Sequence, residues 1–203
     1  MAPISVLLAD DQTMFRSAVR KLLEWEGDIV VVAEVAEGDM ILRTALRVRP
    51  DVAVVDIEMP GVDGLSAAAE LHERLPDCKV LIATTFGRPG FLDRALKGGV
   101  AGFVLKDVSV DALAASIRRC AAGEKVIDPE LAAQASRVGP SPLTSGERLA
   151  LVGVASGASI AEIARRLHLS ERTVRNRVSS AIDKVDARNR VDAIRIAREH
   201  GWL

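Results

Sequence analysis

Five polar side chains stand where apolar, strand-like runs of this sequence stop. Asp10 and Asp11 follow the first run, Asp56 ends the third, Thr84 ends the fourth and Lys106 ends the fifth. In an open parallel sheet the carboxyl ends of the strands share one edge, where ligands bind, so we expect these groups to converge. Three carboxylates brought together repel each other unless a cation or shared protons relieve them. The pattern therefore predicts a divalent-cation site at this edge.

Mg²⁺ is the cation that such hard oxygen ligands favour, together with waters and phosphate oxygens. Asp56 would then be placed to attack a phosphorus atom, because carboxylates form aspartyl-phosphate intermediates. Lys106 would supply positive charge, and Thr84 would donate a hydrogen bond to a phosphoryl oxygen. The alternative is that these residues are strand-end caps and turn formers, which explains each one alone but not all of them together.

The elements that must position these residues are short β-rich runs alternating with helical patterns up to about residue 122. The runs are Ile4–Ala9, Ile29–Val35, Val52–Asp56, Lys79–Thr84 and Gly102–Lys106. Nearly continuous apolar strands alternating with helices predict an α/β domain, with a five-stranded parallel sheet covered by helices on both faces.

A second, all-α module is predicted after a break in this periodicity. The segment Arg137–Pro142 cannot continue a helix and indicates a linker. Thr144 and Glu147 form a capping-box pattern at the start of the next helix. Three further helices are expected at Ser159–Leu167, Ser170–Asp186 and near Arg190–His200.

Composition and charge restrict the class of protein. The 203 residues are 49% hydrophobic and 27% charged, as in globular proteins. Cys78 and Cys120 form neither a disulfide framework nor a metal-ligand spacing, which favours a reducing compartment. We find no signal-like start and no run of about 18–20 apolar residues, so we expect a cytoplasmic protein without direct membrane insertion.

The net charge of −1 conceals two parts of opposite sign. Residues 143–203 carry 11 Lys and Arg against 7 Asp and Glu, a net charge of +4, which leaves −5 for the rest. A basic part of this kind would meet a polyanion, although solvated surface charge would give the same asymmetry.

Helix-turn-helix spacing in the second part favours DNA as that polyanion. Apolar residues of the helix at 170–186 share one face, and polar residues lie mostly on the others. These polar residues are Arg172, Arg175, Asn176, Arg177, Ser179 and Ser180. A recognition helix places such groups in the major groove, where Arg suits guanine edges or phosphate and Asn suits adenine. The alternative is a solvated basic helix within a bundle.

Residues 1–123 resemble the receiver domain of two-component response regulators, through LLADDQ, VVDIEMPGVDG, LIATTF and GFVLKD. The resemblance implies a flavodoxin-like sheet with strand order 2-1-3-4-5. It makes Asp56 the phosphoacceptor and, with Asp11, a direct Mg²⁺ ligand. Asp10 would act through water, and the Glu58 backbone carbonyl would complete the protein ligands.

The same resemblance implies a switch in which Thr84 moves toward the phosphoryl group and Phe103 follows it inward. Phe103 could equally be a core residue, and its spacing alone favours the core. Asp107 follows the lysine where many receivers have Pro, a variant typical of the NarL-like branch. Phe rather than Tyr at position 103 leaves no phenolic hydroxyl to take part.

Residues 143–203 resemble the four-helix DNA-binding domain of the LuxR/NarL type, through LTSGE, EIARRLHLS and TVRNRVSSAIDKV. By motif position, Arg175, Asn176 and Ser179 would contact bases, and Arg172, Arg177 and Lys184 would meet phosphates. Where this chain has Ser145-Gly146, the family usually has Pro-Arg, and the change to Ser-Gly is expected to weaken the opening helix. Where this chain has Arg177, the family usually has His. In the last helix, Val191 and Ile194 would contact a second copy bound to an inverted repeat, although core packing is the alternative.

The chain is thus expected to be a NarL/FixJ-type regulator, with a receiver at 1–123, a linker at 124–142 and a helix-turn-helix domain at 143–203. TTFGRPGF, DIEMPG and AREHGWL resemble the DesR group, which implies a membrane sensor histidine kinase and control of a fatty-acid desaturase. Phosphorylation would promote dimerisation and binding to promoter DNA, with RNA polymerase as a further partner. Alternatives are a receiver that works without phosphorylation and a phosphotransfer enzyme, whereas a phosphatase of the haloacid-dehalogenase type would want Asp in place of Glu58.

Overall fold

The computed structural model describes residues 2–85, 87–128, 131–133 and 140–203. The chain divides into two compact units, the first formed by residues 1–87 and 92–133 and the second by residues 88–91 and 134–203. Of the predicted linker at 124–142, residues 129–130 and 134–139 lie outside the described residues. No described helix is both long enough and apolar enough to cross a bilayer.

The first unit is built on one parallel sheet. Its strands are β1 Ile4–Ala9, β2 Ile29–Val35, β3 Val52–Val55, β4 Lys79–Thr84, β5 Gly102–Leu105 and β6 Val126–Ile127. They are ordered β2-β1-β3-β4-β5-β6. All four residues of β3 are buried, as expected for a central strand covered on both faces. The predicted flavodoxin-like sheet and its order from β1 to β5 are confirmed.

The prediction of five strands missed β6, which lies inside the segment predicted to be a linker. Val126 and Ile127 pair with Gly102 and Phe103 at the edge of the sheet. Two residues are too few to show the alternation or the apolar run by which a strand is identified. Only the pairing with β5 makes this segment a strand.

Helices alternate with the strands along this part of the chain. They are α1 Thr13–Trp25, α2 Asp39–Val48, α3 Gly64–Arg74, α4 Pro89–Lys97 and α5 Val110–Ala121. On one face, Leu23 of α1 and Ile117 of α5 share a buried cluster with Val6 and Val54 of the sheet. Because these four side chains are at most 5% exposed, this packing holds the carboxyl ends of the strands in place.

The second unit is the predicted helical module. Its helices are α6 Ser145–Ala155, α7 Ile160–Arg166, α8 Glu171–Lys184 and α9 Arg190–Glu199. The capping box of Thr144 and Glu147 forms as predicted at the start of α6. His168 has a left-handed backbone (φ 53°) that ends α7 and makes the predicted turn into α8.

Candidate functional site

Strand register brings the predicted acidic residues together. The last residues of β1 and β3 are paired, so Asp10 and Asp56, which follow them, leave the sheet side by side. Thr84, the last residue of β4, pairs with the residue that precedes Lys106. Parallel pairing therefore delivers two carboxylates, a hydroxyl and an ammonium to one edge of the sheet.

Lys106 connects the two buried carboxylates. Its Nζ lies 2.7 Å from Asp10 Oδ2 and 2.8 Å from Asp56 Oδ2. Asp10 is 5% exposed and Asp56 is 4% exposed, so water contributes little to solvating these charges. Their other oxygens accept backbone N–H groups, Asp56 Oδ1 from Ile57 at 2.7 Å and Asp10 Oδ1 from Gln12 at 2.8 Å. The site is therefore held in one arrangement before any ligand binds.

Burial sets the electrostatics of this site. It raises the pKa of Asp56 above its ordinary value, and the hydrogen bond from Lys106 offsets the effect only in part. Burial alone would lower the pKa of Lys106, but its hydrogen bonds to Asp10 and Asp56 raise that pKa above the usual value. Lys106 therefore stays charged at neutral pH and is the resident cation of the site.

The acidic cluster fits a divalent metal ion. Carboxylate oxygens of Asp10, Asp11 and Asp56 all lie within 4.8 Å of one another, and Asp11 is exposed. Three carboxylates carry more negative charge than Lys106 neutralises, and Mg²⁺ prefers oxygen ligands while keeping several waters. Glu58, whose backbone carbonyl is the fourth predicted ligand, lies in the loop after β3.

The two predicted switch residues are both buried. Thr84 and Phe103 are each 1% exposed and lie on the neighbouring strands β4 and β5. Phe103 pairs with Ile82, two residues before Thr84. A core residue and a switch residue would both be buried here, so the switch role of Phe103 stays a prediction.

Two residues of α1 lie at the site without having been predicted there. The Phe15 ring centroid is 4.7 Å from Lys106 Nζ, a cation–π distance. Arg16 donates from Nη1 to the Asp10 backbone carbonyl and pairs with Glu34 of β2 at 3.3 Å. In the sequence Phe15 follows the helical spacing of a core residue, and no motif connects Arg16 with the carboxylates.

The predicted recognition helix is α8, which Ser170 caps at its start. Val174 and Val178 are buried on one of its faces. Four of the predicted DNA contacts are exposed on the other faces, namely Arg172, Arg175, Asn176 and Ser179. Arg175 pairs with Glu171 one turn earlier, and an exposed pair of this kind contributes little stability and could be displaced by DNA.

The other two predicted DNA contacts, Arg177 and Lys184, lie on the flank of α8 that faces the first turn of α6. Lys184 Nζ is 2.9 Å from Glu147 Oε2, so this ammonium already has an anionic partner. Ser180 Oγ donates to Glu147 Oε1 at 2.7 Å. Arg177 is partly buried and lies against Gly146. Their contacts with phosphate stay predictions.

Glu147 is a buried carboxylate that joins α6 to α8. It also accepts the Thr144 N–H at 2.8 Å, which closes the capping box. Burial alone would raise the pKa of Glu147, but hydrogen bonds from Lys184, Thr144 and Ser180 lower that pKa to about 2. The sequence indicates the cap but not the link to α8, because residues 33 to 37 positions apart show no local pattern.

The predicted dimer residues of α9 differ in exposure. Val191 is 70% exposed, whereas Ile194 is partly buried against the core that contains Leu151 and Ala197. Val191 therefore offers apolar surface to a second chain, whereas Ile194 packs partly against the core of its own domain. Their role in a dimer stays a prediction.

Two protein-family models match the chain. The model described as the response regulator receiver domain matches residues 6–118, a range that contains the whole acidic cluster. The model described as bacterial regulatory proteins of the luxR family matches residues 141–197, which include all of α8.

Known proteins are similar to this chain over nearly its whole length. The uncharacterized transcriptional regulatory protein YvfU of Bacillus subtilis strain 168 is 42% identical over 98% of this chain and 100% of its own. The transcriptional regulatory protein DesR of the same organism is 40% identical over 98% and 99%. The crystal structure of the response regulator ChrA, of a heme-sensing two-component system, is 30% identical, covers 100% of both chains and has a TM-score of 0.59.

Proposed function

Because this chain belongs to the two-component response regulators with a LuxR-family DNA-binding domain, we propose that phosphorylation of Asp56 controls its binding to promoter DNA. The observation that carries the proposal is the buried Lys106, whose Nζ bridges Asp10 and Asp56 at the edge of the sheet. Response regulators of this kind interact with histidine kinases, so the phosphodonor would be a phosphohistidine of such a kinase.

The transfer proceeds by attack of an Asp56 carboxylate oxygen on phosphorus. The O–P bond forms as the P–N bond to the kinase imidazole breaks, and the imidazole is the leaving group. Bound Mg²⁺ would offset the negative charge of the transferring phosphoryl group. Lys106 can exchange one carboxylate for a phosphoryl oxygen, because its ammonium offers three donors.

The remaining roles at this edge follow the same scheme. Asp11, Asp56 and the Glu58 carbonyl would bind Mg²⁺ directly, and Asp10 would bind it through water. The exposure of Asp11 beside the two buried carboxylates supports this division, because a hydrated ion can reach it. The Thr84 hydroxyl then bonds a phosphoryl oxygen, and Phe103 follows that movement.

The output is a change in DNA binding. Residues 1–123 act as the receiver, 124–142 as the linker and 143–203 as the DNA-binding domain. Phosphorylation favours a homodimer, through Val191 and Ile194 in the second domain, and two half-sites then combine their affinities. Bases are read by Arg175, Asn176 and Ser179, and phosphates are met by Arg172, Arg177 and Lys184. RNA polymerase is a further partner, and the protein acts in the cytoplasm. Control of membrane-lipid genes stays a prediction from the resemblance to the DesR group.

The family consists of DNA-binding transcriptional regulators, so the chain is not an enzyme of the ordinary kind. The chemistry proposed for it is limited to Asp56, which takes up a phosphoryl group from a donor and loses it to water. A separate substrate is not needed.

Phosphate uptake tests the proposal. The full chain, incubated with acetyl phosphate and Mg²⁺, should gain one phosphoryl group by intact-mass spectrometry, and Asp56→Asn should gain none. Asp77→Asn is the matched control, since it removes the same charge from an exposed turn before β4 and should behave like the wild type. Full uptake by Asp56→Asn would overturn the proposal.

Light scattering tests the assembly step. Beryllofluoride with Mg²⁺ mimics a phosphoryl group on Asp56 and should shift the chain from monomer to dimer. The shift should be absent in Asp56→Asn. An unchanged mass in the wild type would refute phosphorylation-driven dimerisation, but it would not contradict phosphorylation of Asp56.

A further inference from the structure

The Arg177 guanidinium of α8 lies against Gly146 of α6, in the space where a larger residue would place its Cβ. A Cβ added to Gly146 would lie 2.8 Å from Arg177 Cζ, 2.9 Å from its Nη1 and 3.1 Å from its Nε. Carbon atoms of a real side chain do not approach this closely, so the guanidinium lies where any larger residue at 146 would put its Cβ. Glycine at position 146 is therefore what permits this position of Arg177.

The charge of Arg177 is not used inside the domain. Among the residues that the structure describes, Arg177 has neither a hydrogen bond nor an ion pair. Glu147, next to Gly146 in the chain, is already occupied, because Ser180, Lys184 and Thr144 take both of its oxygens. Arg177 is thus a partly buried cation, held in place by packing, with donors left over for an external anion.

The position of Arg177 on α8 indicates which anion it meets. It follows the exposed Arg175 and Asn176 directly, on the flank of the helix that faces the first turn of α6. Residues at the edge of a recognition helix contact the phosphates beside the groove, which positions the helix without reading sequence.

We infer that Gly146 is a positioning residue for DNA binding, because it leaves the space in which the Arg177 guanidinium is held toward a DNA phosphate. The inference rests on the proposed function of the second domain and adds to it a residue that has no side chain. Gly146→Ala should displace the guanidinium rather than the backbone, since the colliding atoms are the far end of a flexible side chain.

The test measures binding of the full chain, treated with beryllofluoride and Mg²⁺, to a labelled 30-base-pair mixed-sequence duplex by fluorescence anisotropy. Each phosphate contact contributes about 0.9 to the slope of log K against log salt. Gly146→Ala and Arg177→Ala should each lower that slope by about this amount. The double variant should match Arg177→Ala alone. Arg119→Ala removes the same charge from the first domain and should keep the wild-type slope.

Stability gives a second readout that a merely structural role would not reproduce. Alanine is a better helix former than glycine, so Gly146→Ala should raise the midpoint of urea unfolding while it weakens DNA binding. Wild-type binding by Gly146→Ala, or losses that add up in the double variant, would overturn the inference alone. A wild-type chain that binds no duplex would overturn the proposed function as well.

Discussion

Replacing Glu147 by Gln tests how much one buried carboxylate stabilises the second domain. The pKa of Glu147 is about 2, against an ordinary value of 4.5. At 1.36 kcal/mol per pKa unit, this difference corresponds to about 3 kcal/mol. Glu147 is 9% exposed but its partner Lys184 is 38% exposed, so solvent screening removes part of this free energy. We therefore expect Glu147→Gln to lower the free energy of unfolding at pH 7 by about 2–3 kcal/mol.

The pH dependence follows from the sign of the shift. Because folding depresses the pKa of Glu147, its contribution is complete above the ordinary value of 4.5 and is lost as the pH falls toward 2. Gln carries no such titration. The difference in unfolding free energy between wild type and Glu147→Gln should therefore be constant from pH 7 to about pH 5 and shrink below that.

Urea unfolding followed by the fluorescence of Trp202 measures this difference in the full chain. Trp202 packs against the core of the second domain, whereas Trp25 of the first is 84% exposed and can be replaced by Phe in every variant. Glu162→Gln is the matched control, because Glu162 closes the same kind of capping box at α7 but is exposed. Its effect should be much smaller than that of Glu147→Gln.

Two results would contradict a stabilising role for the Glu147 carboxylate. A loss for Glu147→Gln no larger than that for Glu162→Gln would show that the contacts with Ser180 and Lys184 contribute little. A large loss that persists unchanged at pH 3 would show that packing, rather than the carboxylate charge, is responsible.

Three further predictions concern the first domain. Burial raises the pKa of Asp56 above 3.8, so wild-type stability should fall as the pH rises from that value through the folded pKa. Asp56→Asn should escape this loss and be more stable than the wild type at pH 7, as measured by urea unfolding. A less stable variant would contradict this prediction. Mg²⁺ at 100 times its dissociation constant should stabilise the domain by about 2.7 kcal/mol, as measured by thermal unfolding, and Asp11→Asn should remove most of the gain; an equal gain in the variant excludes Asp11 as a ligand. Gly64→Ala should abolish normal folding, because its Cβ would overlap the Asp56 backbone oxygen, and a wild-type melting curve by circular dichroism would argue against that.

Local patterns in the sequence were sufficient for the elements and for the acidic residues. Unbroken apolar runs identify buried parallel strands, and a carboxylate directly after such a run must stand at the carboxyl edge of the sheet. The capping box at Thr144 was also predictable from a local pattern, because its two partners are only three residues apart. The two-residue strand β6 was not, because it exists only through its pairing with β5.

The ends of the apolar runs identify which charged groups meet at the edge of the sheet, whereas the pairing of these groups follows only from the packed fold. That Lys106 bridges Asp10 and Asp56 depends on the register of four strands, which no local pattern specifies. In the second domain, Ser145-Gly146 and Arg177 are two unrelated departures from the family pattern in the sequence, yet Gly146 and Arg177 are in contact in the fold. In both cases periodicity records which face of an element is buried, but contacts between distant segments depend on how those faces pack.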